Sequence, residues 1–248
     1  MNSIKENERA DVIVLGGGLA GLTLAIQLRQ ARPDTSVVVL ERGRPPFPDA
    51  AFKIGESTVE IGGQYLVRLL GEDYLERHQI RKSGPRFYFP SQRNEDITTR
   101  LEYGTTDFLP IHSYQIDRGR FENDLRAMVE EAGATLIEGA VVGDITLTPP
   151  GELNRVAFKR ADGTPAEFSC HWVTDASGRG RRIQKLRDAR IPADKHASSA
   201  WFRVKGRLGP GDLVPKSEEA WHARDVDDNR WLSTSHLMGK GYWVWLIP

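Results

Sequence analysis

The feature that most constrains the fold of this chain is a glycine pattern near its N-terminus, Gly16-x-Gly18-x-x-Gly21. A continuous apolar run at 12–15 precedes the glycines, and apolar residues at helical spacing follow at 19–30, as in the first turn of a βαβ unit. In such a turn the three glycines respectively permit a tight bend, let the backbone approach a pyrophosphate, and let the helix pack on the strand. The pattern therefore predicts a parallel sheet with a dinucleotide at a helix N-terminus.

Glu41 extends this prediction, because it ends the next apolar run at 37–40 and lies 20 residues after Gly21. An acid in this position accepts hydrogen bonds from the ribose diol of a dinucleotide. A carboxylate there favours a ribose with a free 2′-hydroxyl, and so FAD or NAD over NADP. The alternative interpretation of the glycines is a purely structural turn.

The charge balance gives no sign of a polyanionic partner. The chain contains 34 Lys and Arg and 34 Asp and Glu, so its formal net charge is zero. We therefore predict no nucleic-acid partner and no membrane association. The apolar stretch 11–28 is not read as a membrane span, since it contains four glycines and divides into a strand and a helix. One basic cluster is interpreted as a solvated helix face: Arg179, Arg181, Arg182, Lys185, Arg187 and Arg190.

The few cysteine and histidine residues restrict the chemistry further. The single cysteine, Cys170, cannot form an intramolecular disulfide, which agrees with a reducing, cytoplasmic location. We interpret this cysteine as a small buried hydrophobe. The six histidines show no spacing typical of metal ligands, so no metal site is predicted.

The remaining periodicity predicts an α/β fold: a Rossmann-like domain interleaved with an antiparallel β-sheet domain. Helices are expected at 59–70 and 121–131, and a third parallel strand is expected at 135–138. An antiparallel meander should precede the return of the chain to the main sheet at 172–175. The other predicted strands lie at 87–89, 98–103, 141–147, 155–159, 166–170, 201–204, 231–235 and 242–247.

The predicted domain organisation has three parts. Residues 1–9 are expected to be flexible, 10–190 to form the dinucleotide-binding domain with inserted segments, and 191–248 to begin a substrate domain. The sequence stops in an apolar, strand-like run without a polar tail, which is unusual for a native C-terminus. We therefore expect the chain to be the N-terminal portion of a longer protein.

Three further segments resemble the FAD-dependent hydroxylase superfamily and favour FAD over NAD. The resemblance implies that Arg118 contacts the cofactor and that Gly178 gives its backbone room. Alternative interpretations are a surface charge for Arg118 and a helix N-terminal charge for Glu56. The three segments are 114–125, Asp175-Ala176-Ser177-Gly178 and Gly55-Glu56-Ser57-Thr58.

Within that superfamily the chain resembles the flavin-dependent halogenases, also called tryptophan-halogenase-like proteins. The resemblance implies that a separate flavin reductase supplies reduced FAD, and that oxygen and chloride or bromide are co-substrates. It further implies a small, electron-rich aromatic acceptor, free or tethered to a carrier. The residues that carry it are Gly16, Gly18 and Gly21, the segment 55–58, Lys82, and Trp243-x-Trp245-x-Ile247-Pro248.

The tryptophan motif has a simple geometry if 242–247 is a strand. Side chains alternate along a strand, so Trp243 and Trp245 should lie on the same side. The resemblance implies that these indoles form a wall that keeps the substrate from the flavin, while hypohalous acid reaches the substrate separately. An ordinary buried aromatic strand is the alternative interpretation.

Lys82, five residues before Phe87, matches the lysine that activates hypohalous acid in this family. Lys53 is the rival candidate, and a solvated surface lysine is the alternative interpretation. The resemblance also implies a catalytic glutamate and a Gly-Asp segment that closes over the flavin, both expected beyond Pro248.

The function favoured by the sequence is therefore an FAD-dependent oxidoreductase of halogenase type. Two alternatives stay open: an FAD-dependent monooxygenase or reductase acting on a hydrophobic substrate, and a non-catalytic flavin-binding fragment. The predicted catalytic residues are Lys82, Trp243 and Trp245. The predicted cofactor contacts are Gly16, Gly18, Leu19, Ala20, Gly21, Glu41, Arg42, Gly55, Glu56, Ser57, Thr58, Arg118, Val142, Asp175, Ala176, Ser177 and Gly178.

Overall fold

A computed structural model describes residues 8–91, 93–194 and 197–248. The chain forms two compact units, each built from two separate stretches. The first unit consists of Met1–Phe52 and Arg118–His196, and the second of Lys53–Asp117 and Ala197–Pro248. Residues 53–117, which lie within the predicted dinucleotide-binding domain 10–190, thus group with the C-terminal stretch.

Strands and helices alternate in the first unit, whereas the second unit is richer in short strands. No helix in the described ranges is both long and apolar enough to cross a membrane. The helices are α1 (Leu19–Ala31), α2 (Glu60–Leu70), α3 (Glu72–His78), α4 (Arg118–Glu131), α5 (Arg182–Leu186) and α6 (Glu219–His222). The strands are β1 (Glu8–Leu15), β2 (Val37–Glu41), β3 (Ile80–Lys82), β4 (Gly84–Phe89), β5 (Leu101–Gly104), β6 (Ser113–Gln115), β7 (Thr135–Glu138), β8 (Val141–Thr146), β9 (Asn154–Lys159), β10 (Pro165–Asp175), β11 (Ser233–Gly239) and β12 (Tyr242–Leu246).

The first unit contains a six-stranded sheet in the order β7–β2–β1–β10–β9–β8. β7, β2, β1 and β10 are mutually parallel neighbours, and β9 and β8 continue the sheet in antiparallel fashion. The parallel strands predicted near 12–15, 37–40 and 135–138 are confirmed. The predicted flexible segment 1–9 falls mostly outside the described residues, and Glu8 and Arg9 already belong to β1.

Strand β10 differs from the prediction of two separate strands at 166–170 and 172–175. It is continuous over 11 residues, because β1 begins early enough to pair with it from Phe168 through Asp175. The first half of β10 pairs with β9 on its other side. The meander is therefore part of the main sheet, and one strand connects it to the segment that follows Asp175.

The interior of the first unit is an aliphatic and aromatic cluster on the sheet. Ile13 and Leu15 of β1 pack there with Val38, Phe158 and Phe168. Two buried phenylalanine rings stack, with centroids 5.8 Å apart. The cluster also contains Cys170, whose burial raises the pKa of its thiol to about 11. The prediction of a small buried hydrophobe at this position is confirmed.

The second unit contains a four-stranded sheet in the order β12–β11–β4–β5 and a two-stranded antiparallel ribbon of β3 and β6. The larger sheet was expected to be antiparallel, but β11 runs parallel to β4. The other neighbours are antiparallel. The predicted fold class, α/β with parallel and antiparallel strands, is confirmed, and the second sheet is mixed.

The two faces of the four-stranded sheet differ in burial. On one face Tyr88 and Leu237 pack against Ile97, Val214 and Trp221. The opposite face carries two rows of side chains in register across the strands. We call it the aromatic face; its residues are Tyr103, Phe87, His236 and Trp245 in one row, and Leu101, Phe89, Met238 and Trp243 in the next.

Three predicted strands are shorter or absent. Within 98–103, the Asp96 carboxylate accepts a hydrogen bond from the Thr98 amide at 3.0 Å and begins a 3₁₀ turn, so that β5 starts only at Leu101. A 3₁₀ turn likewise precedes Ser233, where β11 begins. The segment 201–204 is not a strand.

Candidate functional site

The glycine loop of the first unit places two backbone segments in very close contact. A Cβ atom on Gly21 would lie 1.9 Å from the Gly16 carbonyl oxygen, so only glycine lets α1 pack here. Gly16 has a φ angle of +107°, and a Cβ on it would lie 2.5 Å from the Ala176 carbonyl oxygen. Both positions need glycine for the protein's own packing.

Gly18 is different, because the surrounding protein leaves room for a side chain. Its φ angle of −87° suits any residue. A Cβ on Gly18 would meet only Arg118 Nη2 at 3.8 Å and Glu122 Oε1 at 4.0 Å. Gly18 is thus an open backbone position directly before α1. A Cβ here would occupy the space that a bound pyrophosphate needs. The loop fits a dinucleotide such as FAD.

Glu41 lies beside this loop, as the sequence predicted. Its carboxylate bonds the loop to the segment after β2. One carboxylate oxygen accepts a hydrogen bond from the Gly17 amide at 2.5 Å, and the other accepts from the Gly43 amide at 2.5 Å. Each carboxylate oxygen has a second acceptor site, so the side chain retains capacity for ribose hydroxyls. The Glu41 carboxylate therefore stabilises the glycine loop, in addition to its predicted contact with the ribose.

Helix α4 contributes three charged side chains to the loop at intervals of four residues. Arg118 donates to the Glu122 carboxylate from Nη2 at 2.5 Å and from Nε at 3.0 Å. The same carboxylate accepts from the Leu19 amide at 3.3 Å, at the start of α1. Glu122 has only 1% of its side chain exposed. Arg118 is therefore paired beside the loop rather than a plain surface charge.

Arg126, one turn further along α4, was not singled out from the sequence. It donates to the Gly17 carbonyl at 3.1 Å and to the Glu122 carbonyl at 2.7 Å. It also pairs with Glu138 at 2.9 Å and lies over the Phe47 ring. The sequence signal was the i, i+4, i+8 spacing, which places all three charged residues on one side of a helix.

The segment after β10 lies in an open cleft of about 650 Å³ in the first unit. The predicted contacts Ala20, Asp175, Ala176 and Gly178 all line this cleft. Gly178 has a φ angle of +56° and no atom within 4 Å of a Cβ built on it. The cleft therefore gathers residues that the sequence places far apart, around an open backbone position.

Asp175 organises this turn from within. Its carboxylate accepts hydrogen bonds from the Ser177 amide at 3.1 Å, the Ser177 hydroxyl at 2.5 Å and the Ile183 amide at 2.7 Å. Burial raises the pKa of Asp175, but these hydrogen bonds outweigh it and hold the pKa below its usual value. Asp175 and Ser177 thus shape the turn.

Two predicted cofactor contacts gain no support from their surroundings. Val142 packs its side chain on the hydrophobic cluster, and its carbonyl accepts from Arg182 at 2.6 Å. Arg42 is exposed beside Glu41. Their cofactor roles stay predictions.

In the second unit, Lys82 is buried rather than solvated, with 6% of the residue exposed. Its Nζ donates to the Ser57 hydroxyl at 2.5 Å and lies 3.3 Å from the Thr234 hydroxyl. Burial lowers the pKa of Lys82 to about 8, although the Glu60 carboxylate opposes this shift. The rival candidate, Lys53, is only half-buried.

The segment 55–58 is held in the second unit by β6 and its continuation. The Thr58 amide donates to the Tyr114 carbonyl at 2.8 Å, and the Thr58 hydroxyl accepts from the Tyr114 amide at 2.7 Å. The Glu56 carbonyl accepts from the Ile116 amide at 2.7 Å. The Glu56 carboxylate pairs with Arg203 at 2.6 Å. Because α2 begins only at Glu60, Glu56 is not a helix N-terminal charge.

Trp243 and Trp245 lie on one side of β12, as their spacing predicted. Their ring centroids are 6.0 Å apart and the rings are inclined by 48°. They are 52% and 51% exposed in this chain, and their catalytic role stays a prediction. Trp245 also meets the His236 ring edge-on, and His236 stacks on Phe87.

Two carboxylates and an imidazole meet in the second unit, a grouping that the sequence did not indicate. Glu72 and Glu76, one turn apart on α3, approach His112, whose Nδ1 lies 2.6 Å from Glu72 and 3.6 Å from Glu76. Arg81 Nη2 lies 2.5 Å from His112 Nε2, and the Tyr114 hydroxyl donates to Glu76 at 2.9 Å. The cationic Arg81 opposes a metal ion here, so the group is held together by contacts among its own side chains.

The parallel sheet, the glycine loop and the acid after the second strand define a dinucleotide-binding α/β protein. The chain belongs to the family described as "Lycopene cyclase protein", whose model matches residues 11–192. Because one fold supports different reactions, membership does not by itself define the chemistry.

The relatives are flavin-dependent halogenases. The flavin-dependent halogenase chlA of Dictyostelium discoideum is 28% identical over 96% of this chain and 42% of that protein. The 1H-pyrrole-2-carbonyl-[peptidyl-carrier protein] chlorinase of Pseudomonas fluorescens is 26% identical over 96% of this chain and 53% of that protein. The predicted resemblance to this group is confirmed.

A solved structure, the halogenase PltM in complex with phloroglucinol and FAD, shares the fold. It has a TM-score of 0.64 and 17% identity over 96% of this chain and 48% of that chain. These flavin-dependent relatives confirm FAD as the predicted cofactor. The chain spans about half the length of the proteins it matches.

Proposed function

We propose that the protein is an FAD-dependent oxidoreductase of halogenase type, acting in the reducing cytoplasm. A separate flavin reductase would supply reduced FAD, and chloride or bromide would be transferred to a small electron-rich aromatic ring, free or carrier-tethered. The observation that carries the proposal is Lys82, an amine buried without a carboxylate partner among the described residues. Burying a lysine costs stability, so a chemical task is the simplest reason for its place.

The first unit offers the residues that would hold FAD. The backbone at Gly18 and the N-terminus of α1 would receive the pyrophosphate, and Glu41 would accept from the ribose. The cleft at 175–178 provides further open backbone. When bound in its reduced form, FAD supplies the oxygen chemistry that converts a halide to hypohalous acid.

Lys82 would deliver the halogen. With a pKa of about 8, the group is mostly ammonium at neutral pH, with an appreciable amine fraction. The ammonium can donate a hydrogen bond to hypohalous acid. The amine can attack the halogen, forming an N–halogen bond as the halogen–oxygen bond breaks and water leaves with the amine proton. The aromatic carbon then takes the halogen, and the ring proton leaves to restore aromaticity.

The aromatic face would assist in the second unit. Trp243 and Trp245 present two half-exposed indoles side by side. Such rings bind other aromatic rings through stacked or edge-on contacts. Their proposed task, following the family resemblance, is to screen the acceptor from the flavin.

The test combines the full-length gene product with FAD, a flavin reductase, NADH, oxygen and bromide or chloride. Indole, phenol and pyrrole acceptors are offered free and carrier-tethered, and mass spectrometry detects the halogen isotope pattern. Lys82→Ala should reduce halogenated product about 100-fold, the scale for losing a catalytic group, while oxygen uptake continues. Lys82→Arg should fail as well, because a guanidinium cannot act as a neutral amine.

Controls separate this proposal from the alternatives. Lys53→Ala should retain most of the product. If the wild-type protein consumes NAD(P)H directly and hydroxylates or reduces the acceptor, it is a monooxygenase or reductase. Failure to retain FAD in calorimetry would indicate a non-catalytic protein.

A further inference from the structure

The surroundings of the Lys82 amine are unusual in their chemistry. The contacts of Nζ are the hydroxyls of Ser57 at 2.5 Å and Thr234 at 3.3 Å. These two hydroxyl oxygens also lie 3.3 Å from one another. The three polar atoms therefore form a small triangle in which each group contacts the other two.

Of the two carboxylates near this triangle, one pairs with another residue and the other acts on the amine only electrostatically. Glu56, next to Ser57, pairs with Arg203 at 2.6 Å. Glu60 on α2 favours the ammonium electrostatically, but it makes no ion pair with Lys82 among the described residues. The amine thus depends on hydroxyls for its hydrogen bonds.

Hydroxyl partners suit an amine that must change its charge. An ammonium has three donors and no acceptor, whereas a neutral amine has a lone pair as well. A carboxylate partner would favour the ammonium strongly, and a backbone carbonyl could only accept. Ser57 and Thr234 can accept from the ammonium and donate to the amine. The same contacts therefore persist in both forms.

The fold fixes these groups from three separate segments. Lys82 ends β3, where it pairs with Ser113 of β6. Ser57 forms an isolated bridge with Gln115 of the same strand. Thr234 lies on β11, in register with Pro85 of β4. Backbone pairing thus holds each of the three side chains in place.

We propose that Ser57 and Thr234 are positioning residues, whose hydroxyls hold the Lys82 amine ready in both its charged and neutral forms. Ser57 is the principal partner, since its contact is the shorter one. The consequence for halogen transfer rests on the proposed function, whereas the effect on the amine itself does not.

The direct test is titration of the Lys82 side chain, by NMR of protein carrying ¹³C at lysine Cε. The Lys82 resonance is assigned by its loss in Lys82→Arg. Ser57→Ala removes a hydrogen bond that is stronger to the ammonium than to the neutral amine, so the Lys82 pKa should fall by about one unit. Thr234→Val should lower it less, and Ser57→Thr, which retains a hydroxyl, should restore most of the wild-type value.

Ser83→Ala is the matched control. Ser83 is adjacent to Lys82 and buried, but its hydroxyl bonds to Ser233 at 2.8 Å instead. This variant should leave the Lys82 titration unchanged. An equal titration curve in wild type, Ser57→Ala and Ser83→Ala would overturn the positioning role.

Halogenation assays over a range of pH form a separate arm. Ser57→Ala should reduce product about 10-fold, the effect of one hydrogen bond to a charged group, and move the pH optimum. Identical product and pH profile in Ser57→Ala and wild type would contradict the inference. A shifted Lys82 titration together with no halogenation by the wild type would instead support the positioning role and contradict the proposed function.

Discussion

Gly18 and Gly21 are three residues apart but meet different requirements. Gly21 is needed for folding, because a Cβ would lie 1.9 Å from a backbone oxygen, whereas Gly18 has space around it. Gly18→Val should therefore weaken FAD binding by about 1–3 kcal/mol, through steric overlap with the pyrophosphate, and leave the melting temperature nearly unchanged. Gly21→Ala should lower the stability of the cofactor-free protein.

Calorimetry with FAD and thermal melts of the cofactor-free protein measure the two effects. Retention of wild-type FAD affinity by Gly18→Val would show that the loop has only a structural role. An undiminished melting temperature in Gly21→Ala would contradict the close packing of α1.

Lys82 should make stability depend on alkaline pH. Its pKa is about 8 in the folded protein against 10.5 unperturbed, so between these values the unfolded chain binds more protons. The free energy of unfolding should therefore rise with pH from about 8 to about 10.5. Below pH 8, burying the ammonium costs about 3 kcal/mol.

Lys82→Met should remove this cost. We expect its free energy of unfolding at pH 7 to exceed that of the wild type by about 1–3 kcal/mol, with the difference shrinking above pH 8. Urea denaturation at several pH values is the measurement, with Lys53→Met as the half-buried control. A destabilised Lys82→Met at pH 7 would contradict this expectation.

The sequence could indicate Lys82 but not its environment. The glycine loop is local, so its motif was sufficient to predict its geometry. The hydroxyl of Thr234, in contrast, comes from 152 residues away, and nothing local signals that it meets an amine. Burial of Lys82 was equally invisible, because a single lysine in a short polar stretch is typical of a surface.

Helix α4 anchors the glycine loop through Arg126. Its guanidinium bonds two backbone carbonyls and the Glu138 carboxylate, with 8% of the side chain exposed. Arg126→Met should lower the free energy of unfolding by about 3–5 kcal/mol, since it leaves Glu138 and the Gly17 carbonyl without this donor. Denaturant melts measure the loss.

Arg120 provides the control on the same helix. It pairs with Asp49, and its side chain is 50% exposed. Arg120→Met should change stability by less than about 1 kcal/mol, as is usual for exposed ion pairs. Equal effects of the two substitutions would show that the loop does not depend on α4.

At the level of elements, periodicity predicted the buried strands well and the exposed ones poorly. β1 and β2 are apolar on both faces, so their sequences are distinctive. The run at 201–204 has strand-like residues, yet Arg203 pairs with Glu56 and lies over the Trp201 ring. The side chains of this run are therefore engaged by contacts other than strand pairing. Strand propensity does not include such long-range partners.

Among the described residues, the aromatic face brings several exposed apolar side chains together. Tyr103 and Leu101 are 72% and 69% exposed, and the two indoles of β12 are about half exposed. Such surfaces favour association. Trp243→Ser with Trp245→Ser should remove roughly 100 Å² of exposed ring each and reduce both self-association and binding of a hydrophobic dye.

Trp172→Ser is the matched control, because Trp172 is 72% exposed but lies in the first unit. Analytical ultracentrifugation and dye fluorescence distinguish the variants. If Trp172→Ser reduces association as much as the double variant, the aromatic face is not the associating surface.

The division into units shows what sequence could not provide at this scale. Each unit is made from two stretches far apart in the chain. Sequence patterns favour contiguous domains, so 53–117 was included in the predicted dinucleotide-binding domain 10–190. Its grouping with the C-terminal stretch depends on β4 pairing with β11, a contact that only the folded chain reveals.

The two indoles of β12 also give the protein an optical property. Rings whose centroids are 6.0 Å apart, inclined by 48°, are close enough for their electronic transitions to couple. The coupling should produce a pair of circular dichroism bands of opposite sign in the ultraviolet, which vanishes when either indole is replaced. The hairpin of β11 and β12 thus contains its own chromophore pair, and its melting can be followed without a label.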